Sequence, residues 1–123
     1  MQDFHQLGVW QKAHSLVLRI YKVSGDLPES ENFALAPNLR RSAMAVARFI
    51  AEGAGRDADS KFAIDLKRAR AALFELEYLI LLCRDLRFFP EPLHDDLAAE
   101  VVEVRKMISG LLKRLASPIE TLR

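Results

Sequence analysis

The sequence predicts an all-α chain folded as an up-and-down antiparallel four-helix bundle. Apolar residues recur at three- and four-residue spacings through four long stretches. No stretch shows the strict apolar–polar alternation of a half-buried strand. Gly and Pro number only 5 each, which favours few turns and long helices. The chain has 123 residues, 50% of them hydrophobic and 28% charged, a balance that excludes a disordered or low-complexity polypeptide. One domain over residues 1–123 is expected, large enough for one core.

The first helix is expected from about Val9 to Ser24. Trp10, Ala13, Val17, Ile20 and Ser24 share one face, and Leu16 and Tyr21 widen it. Gly25 and Asp26 stop it, and Pro28 bars its continuation. The second begins near Ala36, with Pro37 in the first turn, where its missing N–H costs nothing. Leu39, Ala43, Val46, Ile50 and Gly53 form its stripe, and Gly53 or Gly55 is the expected left-handed residue at its end.

The third helix is the longest, from about Asp59 to Arg87, capped by Asp59 or Ser60. Phe62, Leu66, Ala69, Leu73, Leu76, Ile80 and Cys83 alternate spacings of four and three, a heptad seam. Phe88, Phe89 and Pro90 end it. The fourth runs from after Pro92 to about Ala116, where Ser117-Pro118 closes it, with a stripe of Leu97, Val101, Val104, Ile108, Leu111 and Leu115. Short connections on both sides of the third helix make its neighbours antiparallel. In the longer loop from Gly25 to Leu35, Phe33 and Leu35 are expected to tuck onto the bundle end.

The third helix carries more apolar surface than one seam needs. Phe74, Tyr78 and Leu81 point away from Leu73, Leu76 and Ile80, with Leu79 and Leu82 between. The reading we favour is an oligomer interface of Phe74, Tyr78, Leu81 and Leu82. The alternative is a wide stripe covered by the loop around Phe33.

The formal net charge is +1, but charge is sorted along the chain. Residues 40–70 carry +4, residues 71–104 carry −6 and residues 105–123 carry +4. Nucleic-acid binding through Arg40, Arg41, Arg48, Lys67, Arg68, Arg105 and Lys106 is therefore a second reading, since phosphate contacts depend on local cations. A solvated face with intrahelical pairs such as Glu103 to Lys106 is the plainer account.

Catalytic and ligand motifs give little. Gly53-Ala54-Gly55-Arg56 lacks the spacing of a phosphate loop. Ser42 and Ser60 have no base that the sequence places beside them. A di-iron bundle needs two Glu-x-x-His pairs, and only Glu91 to His94 has that spacing, while His5 and His14 lack the carboxylate. No enzyme activity, cofactor, metal or small-molecule substrate is expected. Glu52 is read as a structural ion pair with an arginine such as Arg41 or Arg48, ahead of an inter-helix or inter-subunit pair that fixes register, and Glu75 and Glu77 invite the same reading. The single cysteine, Cys83, lies in an apolar run and reads as a buried, inert thiol. Residues Met1 to Gln11 hold no apolar signal core, and no run approaches the roughly 18 apolar residues that span a bilayer. A cytoplasmic protein without membrane contact is expected.

Several motifs resemble one known family. Phe4-His5-Gln6-Leu7-Gly8-Val9-Trp10-Gln11-Lys12-Ala13 is similar to its opening motif. Leu39-Arg40-Arg41-Ser42-Ala43 and Ile50-Ala51-Glu52-Gly53 resemble its central signature, and Phe62 through Leu76 its third-helix pattern. The family comprises four-helix bundle proteins related to those encoded in intervening sequences of bacterial 23S rRNA genes, sometimes labelled S23 ribosomal proteins. The resemblance implies a ring-shaped homopentamer. It also points to a related branch, accessory proteins of diversity-generating retroelements, which bind nucleic acid through a basic pentameric surface. The chain departs from the pattern at Phe49, where the family has Asn, at Ala45, where it has Ser, and at Ala71-Ala72, where it has Gly-Ser. Each change removes a polar or flexible group, which favours packing over an inherited polar site.

Overall fold

The computed structural model describes residues 1–116 and holds four helices: α1 (Gly8–Ser24), α2 (Leu35–Ala54), α3 (Asp59–Asp85) and α4 (Glu91–Ala116). Short 3-10 turns precede α1 at Phe4–Gln6 and α2 at Glu29–Glu31, and no strand occurs among the described residues. The Ser117-Pro118 stop expected for the fourth helix lies outside them.

Each helix packs on its neighbours in a closed circuit, α1 on α2, α2 on α3, α3 on α4 and α4 back on α1. The α2–α3 seam is the most extensive and the α1–α4 seam the least. The α1–α2 and α3–α4 faces therefore lie on opposite sides of the bundle. Leu16, Ile20, Leu39, Ile50, Leu73 and Ile108 are among the fully buried side chains, each at an expected stripe position or its flank. Burying a side chain of that size stabilises the fold by about 2 kcal/mol. Every buried side-chain polar atom described has a partner. Ser42, for example, donates to the carbonyls of Asn38 and Leu39, both at 3.1 Å.

The helix ends differ from expectation. α3 starts without a side-chain cap, because neither Asp59 nor Ser60 reaches a free N–H and the flanking position is Ala58. It stops at Asp85, two residues early, in a six-residue C-terminal turn. There the Phe88 N–H donates to the Cys83 carbonyl at 2.8 Å and the Arg87 N–H to the Arg84 carbonyl at 2.9 Å. The left-handed residue is Arg87, with φ of 65°, and no described glycine adopts positive φ. α4 starts at Glu91, which places Pro92 inside its first turn, where no N–H is needed.

Gly53 serves another purpose. It is helical and buried, and an added Cβ would lie 2.7 Å from Phe62 Cδ1 and 3.0 Å from Asp65 Cβ. Its missing side chain lets α2 and α3 close at the end of their seam.

The α1–α2 loop is corrected in one respect. Leu35 is buried, but Phe33 is 98% exposed, and Leu27 takes the inward position. Leu27 and Leu35 anchor the loop from both sides and leave Phe33 facing outward. The opening segment docks at the other end, with the Gln2 N–H donating to the Ala54 carbonyl at 2.7 Å. Beside it Trp10 stacks on His14 with ring centroids 4.9 Å apart.

Candidate interaction face on the third and fourth helices

α3 needs one face for the bundle, and its remaining apolar side chains have to go elsewhere. Phe74 is 52% and Tyr78 59% exposed, and Leu81 is half-buried. These three, with Ile80, His94 and Ala98, line a hollow of about 360 Å³ between α3 and α4. Leu82 is half-buried and packs against its own core, as does Leu79. Ile64, half-exposed on α3, belongs to no expected set. The loop carrying Phe33 does not cover this face, so the account in which it does is set aside.

A second depression of about 710 Å³ adjoins the hollow and shares Phe74 as a wall. Arg70, Arg105, Lys106 and Lys113 surround it, Ser109 and Gly110 complete it, and no described carboxylate lines it. Arg105 sits on the boundary. It donates to Glu77 Oε1 at 2.9 Å and lies 5.2 Å over the Phe74 ring. The interhelical pair thus sits against the Phe74 ring, about half of which stays exposed. Arg70, Lys106 and Lys113 form no ion pair with a described residue.

The expected cations of α2 lie apart from this groove. Arg40 is half-buried between α1 and α2, donating to Ser24 Oγ at 2.8 Å and lying 5.3 Å over the Tyr21 ring. Arg41 is exposed and donates to Asn38 Oδ1 at 2.8 Å. Arg48 covers the Phe49 ring at 4.5 Å and reaches Glu52 Oε1 at 3.4 Å, one turn on. Glu52 is therefore held within its own helix, not across helices. Lys67 is exposed and lies one turn before Arg70 on the same side of α3, while Arg68 turns to Asp65 and donates to its Oδ1 at 3.1 Å. The structure brings Arg105 and Lys106 together with Arg70 and Lys113, and leaves Arg40, Arg41 and Arg48 apart from them.

Asp65 is a buried carboxylate that sequence reading did not single out. It is 1% exposed on the inner face of α3 and accepts from Arg56 Nε at 2.8 Å as well as from Arg68. The hydrogen bond to Asp65 raises the Arg56 guanidinium above its ordinary value. Its signal was present in the spacing, since Asp65 falls three after Phe62 and four before Ala69. Cys83 is buried, and burial pushes its thiol up to about 11, with the Glu31 charge adding to the effect. No group of three or more His, Cys, Asp or Glu side chains among the described residues is placed to hold a metal ion. No described helix is long and apolar enough to cross a membrane.

These features define an up-and-down four-helix bundle whose α3–α4 face carries an apolar hollow beside a basic groove. The profile of the 23S rRNA-intervening sequence proteins matches residues 5–110, and the chain belongs to that family. No curated protein matches it. A solved relative in fold is a protein of unknown function from the S23 ribosomal protein family of Bacteroides thetaiotaomicron, determined at 1.70 Å. The two superpose with a TM-score of 0.80 at 20% identity, over 85% of this chain and 95% of the other.

Proposed function

We propose that this chain is a non-enzymatic scaffold or binding module of the cytoplasm that assembles with copies of itself, as a five-membered ring, through the outer α3–α4 face. The observation that carries the reading is the exposure of Phe74 and Tyr78 around an apolar hollow on one side of an otherwise complete bundle. Each helix already buries a stripe in the core, so this surface is surplus to folding. Aromatic side chains left open in this way act as interface anchors. The ring and its five-fold order are what the resemblance of the motifs implies.

Light scattering at micromolar concentration tests the reading. A mass well above the 13.9 kDa of one chain is expected. Phe74→Glu and Tyr78→Glu should each reduce the mass while the helical circular dichroism signal persists. A wild-type mass of one chain refutes the proposal. Loss of helical signal in both variants instead places the two side chains in the monomer's own core.

One further observation favours a second reading, binding of RNA or DNA. The groove gathers Arg70, Lys106 and Lys113, without a described carboxylate among them, and Arg105, paired to Glu77 at its edge, beside a half-exposed aromatic ring. Retention of nucleic acid that falls steeply with salt is the expected behaviour. Absence of a mobility shift at low salt rejects it.

A further inference from the structure

We infer that the basic groove beside Phe74 receives the acidic α1–α2 loop of a second copy of this chain, with Phe33 as the anchoring side chain. The inference rests on the self-assembly reading above and names the surface that the α3–α4 face would meet.

The loop has the properties of a preformed knob. Its backbone is fixed by bonds from Glu31 N–H to the Pro28 carbonyl at 2.8 Å, Asn32 to Glu29 at 3.0 Å and Ala34 to Glu31 at 3.1 Å. Leu27 and Leu35 bury their side chains on either side and hold it to the bundle. Phe33 stands 98% exposed on this rigid support. A large aromatic so placed contributes nothing to the monomer, and a rigid segment loses little further entropy on docking. Around it Asp26, Glu29 and Glu31 form no ion pair with a described cation.

The groove is the complement. Arg70, Lys106 and Lys113 are three cations without a described carboxylate partner, set against three loop carboxylates without a described cation. Its volume of about 710 Å³ exceeds that of a phenyl ring several-fold, and the Phe74 ring offers an aromatic wall. Gly110 lies within α4, and a Cβ built there meets nothing within 4 Å. Glycine inside a helix is less stable than alanine, and no contact with a described residue calls for it here. An open floor for an incoming side chain supplies a reason.

Docking of this kind joins two different patches, so the contact is head-to-tail and can close into a ring. The loop lies at the bundle end where α3 finishes, and the groove runs toward the end where α4 finishes. Neighbouring bundles are therefore inclined to one another.

Charge exchange tests the pairing on the full chain. Sedimentation equilibrium at matched concentration compares wild type, the loop variant Asp26→Lys/Glu29→Lys, the groove variant Lys106→Glu/Lys113→Glu, and all four substitutions combined. Each double variant should fall in mass, and the fourfold combination should regain the wild-type mass. Phe33→Ala should weaken association roughly tenfold or more. A wild-type assembly whose mass the loop variant leaves unchanged overturns the pairing but not self-assembly, whereas a monomeric wild type overturns both. A fourfold variant that stays dissociated also overturns it. So does a groove variant of unchanged mass that has lost RNA retention, which assigns the groove to nucleic acid. Should a charge variant not fold, Ser30→Cys and Ser109→Cys chains mixed under air decide the matter. A disulfide between the two chains supports the pairing, and its absence in an otherwise assembled mixture refutes it.

Discussion

Gly53→Ala adds one methyl group where α2 and α3 approach closely. The new Cβ would sit 2.7 Å from Phe62 Cδ1, 3.2 Å from Phe62 Cε1 and 3.0 Å from Asp65 Cβ. Phe62 is buried, so its ring has no solvent to turn into, and the Asp65 Cβ is fixed to the α3 backbone. Overpacking of this sort costs about 1–3 kcal/mol. Alanine's better helix propensity returns about 0.5–1 kcal/mol. The net expectation is a loss of about 1–2 kcal/mol, which for a chain of this size lowers Tm by about 3–10 °C. Thermal unfolding followed by circular dichroism, at one fixed concentration, measures it. The double variant Gly53→Ala/Phe62→Leu separates the cause, because a smaller side chain at 62 makes room for the methyl. Its loss should be clearly less than the sum of the two single losses. A rise in Tm for Gly53→Ala, or strict additivity in the double variant, would show that close approach to Phe62 is not why glycine stands there.

Two other expectations concern buried groups. Asp65→Ala should cost about 2 kcal/mol in urea unfolding, since the two freed arginines are half-exposed and return to water. The Arg56→Ala/Arg68→Ala pair should cost more, because it strands a carboxylate in the interior, and the reverse order would refute an interior charge at 65. Cys83 has its thiol pushed up to about 11 from an ordinary value near 9.0. The unfolded chain therefore releases this proton first. The stability it contributes is complete below about pH 9 and declines as pH rises toward 11. Urea midpoints of wild type should fall more steeply than those of Cys83→Val across that window, and parallel curves would refute the burial argument.

The helices were legible because their signal is local. Leu39, Ala43, Val46 and Ile50 are buried as their spacing requires, and so are Leu66, Leu73 and Ile80. What escaped depends on residues distant in sequence. Phe33 is hydrophobic and was expected inside, but Leu27 and Leu35 had already filled the two anchoring positions. Asp65 breaks an apolar stripe, and that is tolerable because Arg56, brought back by the turn after α2, joins Arg68 on its carboxylate. The left-handed position after α3 fell to Arg87, although glycine is the residue that position favours. The basic residues divide in the same way. Composition alone does not separate Arg40, occupied by Ser24 and Tyr21, from Lys106, which faces open groove.

The unequal seams of the bundle bear on how the chain reaches its fold. α2 and α3 are joined by a turn of four residues, 55–58, and share the most extensive contact. Forming that hairpin closes a short loop and gains the largest interface, so it is the natural nucleus. α1 and α4, at opposite ends of the described chain, share the smallest contact and close the circuit last. Substitutions at Gly53 or Phe62 would then slow folding itself. Those at the α1–α4 seam, where Arg19 bridges to Glu100 and Lys12 to Glu103, would leave the folding rate alone and hasten unfolding.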